Sequence, residues 1–324
     1  MSHESSALLQ VRDLCVDFQL RTGPLPAVRH VSFDLAKGER MGLVGESGAG
    51  KSVTGFALLN LVSKPGQITS GSILFEGQDL AVLSPEAMRQ IRGNRIAMIF
   101  QDPMMTLNPV LTIGTQMVET LLAHFPMSTA EAKALALEKL RQVAIPSPEK
   151  RLRQYPHEFS GGMRQRIVIA IALLTSPSLI IADEPTTALD VTIQADIMEL
   201  LLHLCETAHM GLLLITHDLA VVSQVTQKIA VMYAGTIVEM GPTESIIRAP
   251  KHPYTQGLLA ALPQNAARRG RLNQIPGTMP TLSRIPSGCP FHNRCPKVAD
   301  ICRTTPPRLH PLADGTAVAC HLVD

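Results

Sequence analysis

Six short apolar runs punctuate the chain, at residues 41–44, 72–75, 95–100, 178–182, 212–216 and 229–233. Several are continuous rather than alternating. Strands covered on both faces look like this, because neither face needs polar residues for solvent. Between the runs the apolar spacing changes to a helical one. Ser128-Thr129-Ala130-Glu131 forms a capping-box pattern and opens a helix with Leu137, Leu140 and Val143/Ala144 along one face. From Thr192 onward, Ile193, Ile197, Leu200, Leu201 and Leu204 recur at helical spacing. Strands alternating with helices predict an α/β fold. Residues 107–153 carry almost no strand pattern and read as a helical insertion in that fold.

Composition narrows the picture. A chain of 324 residues suggests about two domains, or one large domain with an appendage. At 45% apolar and 17% charged it has the material for a core and is not disordered by composition. The longest apolar run, 167–174, has eight residues, and a membrane-spanning helix needs about 20, so no bilayer crossing is predicted. Residues 1–9 lack the basic and apolar regions of a signal peptide, so the chain is expected in the cytoplasm, with reduced thiols. A net charge of +2 gives no sign of nucleic-acid binding, but it hides an asymmetry. Residues 250–324 hold nine Lys/Arg against three Asp, with eleven of the 24 prolines and four of the six cysteines. A boundary is therefore expected near Ala249.

The first chemistry-bearing motif is Gly45-Glu46-Ser47-Gly48-Ala49-Gly50-Lys51-Ser52, placed after an apolar strand and before an apolar helix pattern. Small residues at Gly45, Ser47, Gly48 and Gly50 let backbone N–H groups curl around phosphate oxygens, and the following helix adds its positive end. Lys51 has the reach for β- and γ-phosphates, and the Ser52 hydroxyl suits Mg²⁺. The bland alternative is an ordinary Gly-rich turn. Against it stands a matching downstream acid pair, Asp183-Glu184, at the end of the apolar run Leu179-Ile180-Ile181-Ala182. Side chains alternate along a strand, so one carboxylate can serve a Mg²⁺ shell while the other faces an attacking water. These features specify a nucleoside triphosphatase without naming its class.

Phe159-Ser160-Gly161-Gly162-Met163-Arg164-Gln165-Arg166, leading into the apolar run 167–174, resembles the signature loop of ABC-type ATPases. Other elements of that family follow in order over residues 8–248: Gln101 after a strand, Ala188-Leu189-Asp190 after the acid pair, and His217 after the run 212–216. Phe159 and Met163 depart from the usual Leu and Gln. The resemblance implies a P-loop NTPase of the ABC type with a helical subdomain at about 105–165. It implies that Phe18 stacks on adenine and that Gly45, Ser47, Gly48, Gly50, Lys51 and Ser52 hold phosphate. Ser52, Gln101 and Asp183 would serve Mg²⁺. Ser160, Gly161 and Gly162 would bind the γ-phosphate held by a second subunit, with Asp190 near that interface. Glu184 would polarise water, with His217, Lys51 and Gln101 completing the catalytic set.

The tail carries a second resemblance. His252-Pro253-Tyr254-Thr255, the stretch 272–280 and the series Cys289, Cys295, Cys302 and Cys320 resemble the C-terminal extension of ATPase subunits of dipeptide and oligopeptide permeases. The implied layout is an ATPase domain at 1–249 and an extension at 250–324. The implied partners are a second, non-identical ATPase chain, two membrane permease subunits and, indirectly, a substrate-binding protein. The chain would then sit peripherally on the cytoplasmic face of the inner membrane. The four cysteines admit buried thiols, zinc or an iron–sulfur cluster. Their spacings lack the short C-x2-C pairs of common zinc ribbons. The resemblance implies a [4Fe–4S] cluster on the four, with Arg294, Arg303 and Arg308 offsetting its charge, and zinc as the alternative. Cys15 and Cys205 fall in apolar segments and are expected in the core.

Overall fold

The computed structural model describes residues 7–187, 189–262 and 274–323. Residues 1–6, Ala188 of the expected interface turn, the basic residues Arg268, Arg269 and Arg271, Leu272 and Asp324 lie outside the described residues. The chain forms two compact units, one from Met1–Val82 and Leu214–Asp324, the other from Leu83–Leu213. In chain order the first unit opens with strands β1 (Ala7–Leu20), β2 (Gly23–Ala36) and β3 (Arg40–Val44), helix α1 (Lys51–Leu58), then β4 (Gly66–Phe75) and β5 (Gln78–Asp79). The second holds α2 (Pro85–Ile91), β6 (Ile96–Ile99), α3 (Pro103–Thr106), α4 (Ile113–Leu122), α5 (Thr129–Gln142), α6 (Pro148–Arg151), α7 (Gly161–Ala172), β7 (Leu179–Asp183) and α8 (Val191–Thr207). After β8 (Gly211–Thr216) the first unit resumes with α9 (Leu219–Val225), β9 (Lys228–Tyr233), β10 (Thr236–Pro242), α10 (Thr243–Arg248), α11 (Pro253–Ala260), α12 (Ile301–Thr304), β11 (His310–Pro311) and β12 (Ala317–Val318).

In the first unit β3 and β9 pair in parallel, Met41 opposite Lys228 and Val44 opposite Val231. Their apolar runs are buried, as continuous patterning requires. Helix α9 packs close to this pair at Gly42, where a Cβ would lie 2.3 Å from Val222 Cγ1. Strands β2, β1, β4 and β5 form a separate antiparallel sheet. The long β1–β2 pairing was not expected from the sequence. Its alternation breaks at register shifts between Val11 and Leu14 and between Leu14 and Val16. Asp13 and His30 take positive φ there, 49° and 52°, and such bulges hide the period of two. Cys15 lies beside one of these irregularities, half-exposed, and its sulfur accepts the His30 N–H at 3.3 Å. Its expected core role is not met, whereas Cys205 is buried on α8.

In the second unit β6 and β7 pair in parallel, Ile96 opposite Leu179 and Ile99 opposite Ala182. The stretch 107–153 is helical, as its pattern predicts. Ser128 caps α5 with a complete capping box, its hydroxyl accepting from Glu131 N–H while the Glu131 carboxylate accepts from Ser128 N–H. The face of α5 that turns inward holds Ala132, Ala136 and Leu140, followed by Val143, and Leu137 is only half-buried. Among the described residues no helix is long and apolar enough to cross a membrane.

The tail folds back onto the first unit. Its helix α11 starts at His252, whose Nδ1 accepts the Tyr254 N–H at 3.0 Å. Glu239 on β10 accepts the N–H groups of Lys251 and His252 at 2.6 and 3.0 Å. Burial pushes the His252 imidazole down to about 4 and raises the Glu239 carboxyl. Because the folded His252 binds its proton less well than an unfolded histidine, stability present near neutral pH is lost as pH falls from about 6.5 toward 4. Going from pH 7.5 to pH 5, this group should cost about 2 kcal/mol. His252→Asn keeps an acceptor for the Tyr254 N–H but cannot titrate, so its unfolding free energy should lack that loss. Urea unfolding of both proteins at the two pH values checks this. Glu239 is common to both, so the difference isolates His252.

Candidate functional site: a phosphate loop, an acid pair and a signature turn

The phosphate loop joins β3 to α1, and close backbone approach fixes its path. A Cβ at Gly45 would come within 2.2 Å of the Met232 carbonyl oxygen. Gly50 has φ +101° and caps α1, and a Cβ there would meet the Ala27 carbonyl at 2.6 Å. The loop is tied to its surroundings by Gly235 N–H donating to Ala49 O at 2.8 Å, and Thr54 on α1 donates through both N–H and hydroxyl to Gly50 O at 2.9 Å. Lys51 is buried, and its ammonium donates to Gly45 O at 2.9 Å and Glu46 O at 3.1 Å. Ser52 follows in the first turn of α1, half-buried. Ser47 and Gly48 lie on the turn between them, Gly48 at φ +83°. In the same unit His217 is exposed just past the end of β8. Phe18 is half-buried on β1 opposite Leu25 and Gly66, and a Cβ at Gly66 would be 2.9 Å from its ring.

Glu46 is held at its backbone and at its side chain. Its N–H donates to the Tyr254 hydroxyl at 2.9 Å, and its carbonyl accepts from Lys51. Its carboxylate accepts a two-pronged contact from Arg294, at 2.8 and 3.0 Å. Arg294 lies over the rings of Tyr233 and Phe291, which pack with Tyr254 at centroid distances of 4.7–5.4 Å. Two of the chain's three tyrosines are thus in one cluster. Burial alone would lower the Arg294 guanidinium, but the Glu46 carboxylate and Tyr233 hydroxyl outweigh it and hold the group charged. The sequence reading missed this set. Glu46 and Arg294 are 248 positions apart, and nothing local marks them as partners.

The acid pair and the signature turn belong to the second unit. Asp183 ends β7 and is buried. Glu184 follows with φ 46°, an uncommon conformation for a residue with a Cβ. One carboxylate oxygen of Glu184 accepts from Gln101 Nε2 at 3.2 Å and from the Thr187 hydroxyl at 2.8 Å. Gln101 and Glu184 are therefore brought together, although 83 positions separate them. The Ser160 hydroxyl accepts the Met163 N–H at 3.4 Å and caps α7. Gly161 and Gly162 open that helix, and a Cβ at Gly162 would be 2.9 Å from Ile193 on α8. Phe159, in place of the usual Leu, is buried with the Arg151 guanidinium over its ring at 5.7 Å. Asp190 is the N-terminal flanking residue of α8.

The four tail cysteines do not form the expected metal site. Cys289, Cys295, Cys302 and Cys320 are all described, yet no group of three or more His, Cys, Asp or Glu side chains able to hold a metal ion is present among the described residues. Neither an iron–sulfur cluster nor zinc is supported. Burial disfavours the charged thiolate at Cys289, Cys295 and Cys320. Cys289, Cys302 and Cys320 are buried. Desolvation pushes the Cys289 thiol up to about 11 and raises those of Cys295 and Cys320. Cys289 N–H donates to Cys302 O at 2.8 Å, and Lys297 N–H donates to Cys295 Sγ at 3.4 Å, contacts that knit the tail's turns. Arg294, expected beside a cluster, is turned to Glu46 instead.

Comparison with known proteins accords with this geometry. The ABC transporter family model matches residues 28–187, and the model for the oligopeptide/dipeptide transporter C-terminal region matches 238–302. The dipeptide transport ATP-binding protein DppD of Haemophilus influenzae is 49% identical over 97% of this chain and 95% of its own. DppD of Bacillus subtilis is 50% identical over 98% and 95%. The oligopeptide transport ATP-binding protein OppD of Escherichia coli is 47% identical over 98% and 94%. Among solved structures, the dimeric ATP-binding cassette MJ0796 bound to ADP and Pi superposes with a TM-score of 0.64, at 26% identity, over 72% of this chain and 98% of that one. The fold is thus a P-loop NTPase of the ABC type, and the chain belongs to the ATP-hydrolysing subunits of the dipeptide and oligopeptide family of ABC transporters.

Proposed function

We propose that this protein energises import of dipeptides or oligopeptides by hydrolysing ATP at the cytoplasmic face of the membrane. The observation that carries the reading is the extent of the likeness. It runs through the tail as well as the ATPase core, and the relatives it covers are named for dipeptide and oligopeptide transport. The chain works as an ATPase domain at 1–249, with a helical subdomain at about 105–165, and an extension at 250–324. Its partners are a second, non-identical ATPase chain, two membrane-spanning permease subunits and, indirectly, a substrate-binding protein.

Each residue has a defined task in this reading. Phe18 stacks on adenine. The backbone of Gly45, Ser47, Gly48 and Gly50 cradles phosphate oxygens, and Lys51 leaves its loop carbonyls to neutralise charge on the β- and γ-phosphates. Ser52, Gln101 and Asp183 offer hydroxyl, carboxamide and carboxylate oxygens, a hard all-oxygen set that suits Mg²⁺. The ion, when bound, stabilises charge on the transferring phosphoryl group. Glu184 orients and deprotonates the attacking water, its side chain steadied by Gln101 and Thr187. His217 supports the γ-phosphate in the transition state. Ser160, Gly161 and Gly162 present the start of α7 to the nucleotide of the partner ATPase chain, with Asp190 at that interface. Closure on ATP and opening after hydrolysis then move the helical subdomain and drive the permease.

Glu184→Gln keeps size and a hydrogen-bonding oxygen but removes the base. Hydrolysis by the assembled transporter should fall at least about 100-fold while ATP affinity stays within about threefold. Turnover close to wild type would remove Glu184 from this role. In proteoliposomes holding the whole transporter, ATP hydrolysis should rise when the binding protein carries a di- or oligopeptide, and labelled peptide should accumulate inside. Accumulation of some other cargo, with none of peptide, would overturn the import assignment.

A further inference from the structure

The Glu46–Arg294 contact has a consequence for nucleotide binding. Glu46 places a carboxylate in the loop that receives a polyphosphate, where an unpaired negative charge would repel the ligand. Only 7% of the Arg294 side chain and 28% of the Glu46 side chain are exposed, so solvent screens the pair weakly. The fork of Arg294 fixes the carboxylate through two N–H groups, a geometry that an ammonium cannot reproduce. Arg294 is itself fixed from behind. Its Nε donates to Pro276 O at 2.9 Å, and its faces rest near Tyr233 and Phe291. Tyr254, from α11, takes the Glu46 N–H on the backbone side. Ile275 closes over α11 at Gly257, where a Cβ would be 2.8 Å from Ile275 Cγ1. The tail therefore grips the phosphate loop at one residue by two routes, one through charge and one through backbone.

We propose that Arg294 is a positioning residue for the phosphate loop: by neutralising and immobilising Glu46, it lets the C-terminal segment set the affinity of the ATPase for nucleotide. The proposal rests on the reading of residues 45–52 as the nucleotide-phosphate loop. It gives the extension a part in the ATPase cycle. Any partner that displaces residues 274–296 would expose the Glu46 charge and weaken ATP binding.

The test is a titration of the full chain with Mg·ATP carrying a fluorescent ribose label, at low and high salt. Arg294→Met should weaken affinity about tenfold, and raised salt should narrow the gap. Arg294→Lys should fall between, because charge is kept and the fork is lost. Adding Glu46→Gln to Arg294→Met should restore affinity to within about twofold of wild type, a rescue that a merely structural role for Arg294 would not give. Should Arg294→Met not fold, Arg294→Lys alone decides, and affinity equal to wild type overturns the proposal. Unchanged affinity in Arg294→Met, or a double variant as weak as Arg294→Met, also overturns it. Lys51→Ala is the control for the underlying reading. If it binds nucleotide as tightly as wild type, the phosphate-loop assignment itself fails, independently of Arg294.

Discussion

Close backbone packing around the phosphate loop is the constraint on which the first unit is built. Gly45 lies against the Met232 carbonyl of β9 and Gly50 against the Ala27 carbonyl of β2, so backbone of both strands crowds the loop. A side chain at either glycine would have to displace backbone, which cannot yield as a side-chain tip does. The parallel pairing of β3 with β9 brings Met232 to that point, and Gly42 lets α9 approach the same strand. Lys51, turned inward onto two loop carbonyls, is buried as a result of this compaction. A buried ammonium is tolerated when acceptors receive its protons, as the two loop carbonyls do here.

The acid pair is organised by the same kind of economy in the second unit. Continuous apolar residues bury β7 completely, and the strand ends where Asp183 turns into Glu184 at positive φ. Such a conformation costs of order 1–3 kcal/mol for a residue with a Cβ and persists only where neighbours over-determine it. Gln101 and the Thr187 hydroxyl, both donating to the Glu184 carboxylate, are two such neighbours. Stored backbone strain beside a strand end, held by two donors, is typical of a group whose direction matters for chemistry.

The tail changes character once its contacts are known. From composition it is a basic, proline-rich appendage with thiols in search of a metal. Folded, Tyr254, Phe291 and Arg294 of the tail pack against Tyr233 and Glu46. Phe291 joins Tyr233 and Tyr254, and Arg294 is spent on Glu46 rather than on a cluster. Burial raises the thiols of Cys289, Cys295 and Cys320, which disfavours their charged form. Cysteine spacing alone could not distinguish these cases, because spacing says nothing about where the sulfurs point.

The sequence by itself determined the parts whose signal is local. Continuous apolar runs marked β3, β6, β7, β8 and β9, the Ser128–Glu131 box marked the start of α5, and the 45–52 loop, the acid pair and the Ser-Gly-Gly turn were legible because each is a contiguous string. Only the tertiary structure decided the rest. Bulges at Asp13 and His30 broke the alternation that would have revealed the long β1–β2 pairing. Glu46, Tyr254 and Arg294 converge from distant stretches of chain, with no periodicity connecting them. The partner of Arg294 and the burial of Cys289, Cys302 and Cys320 are properties of the packed molecule. A local pattern fixes what a segment can become, whereas burial and long-range pairing fix what its side chains do.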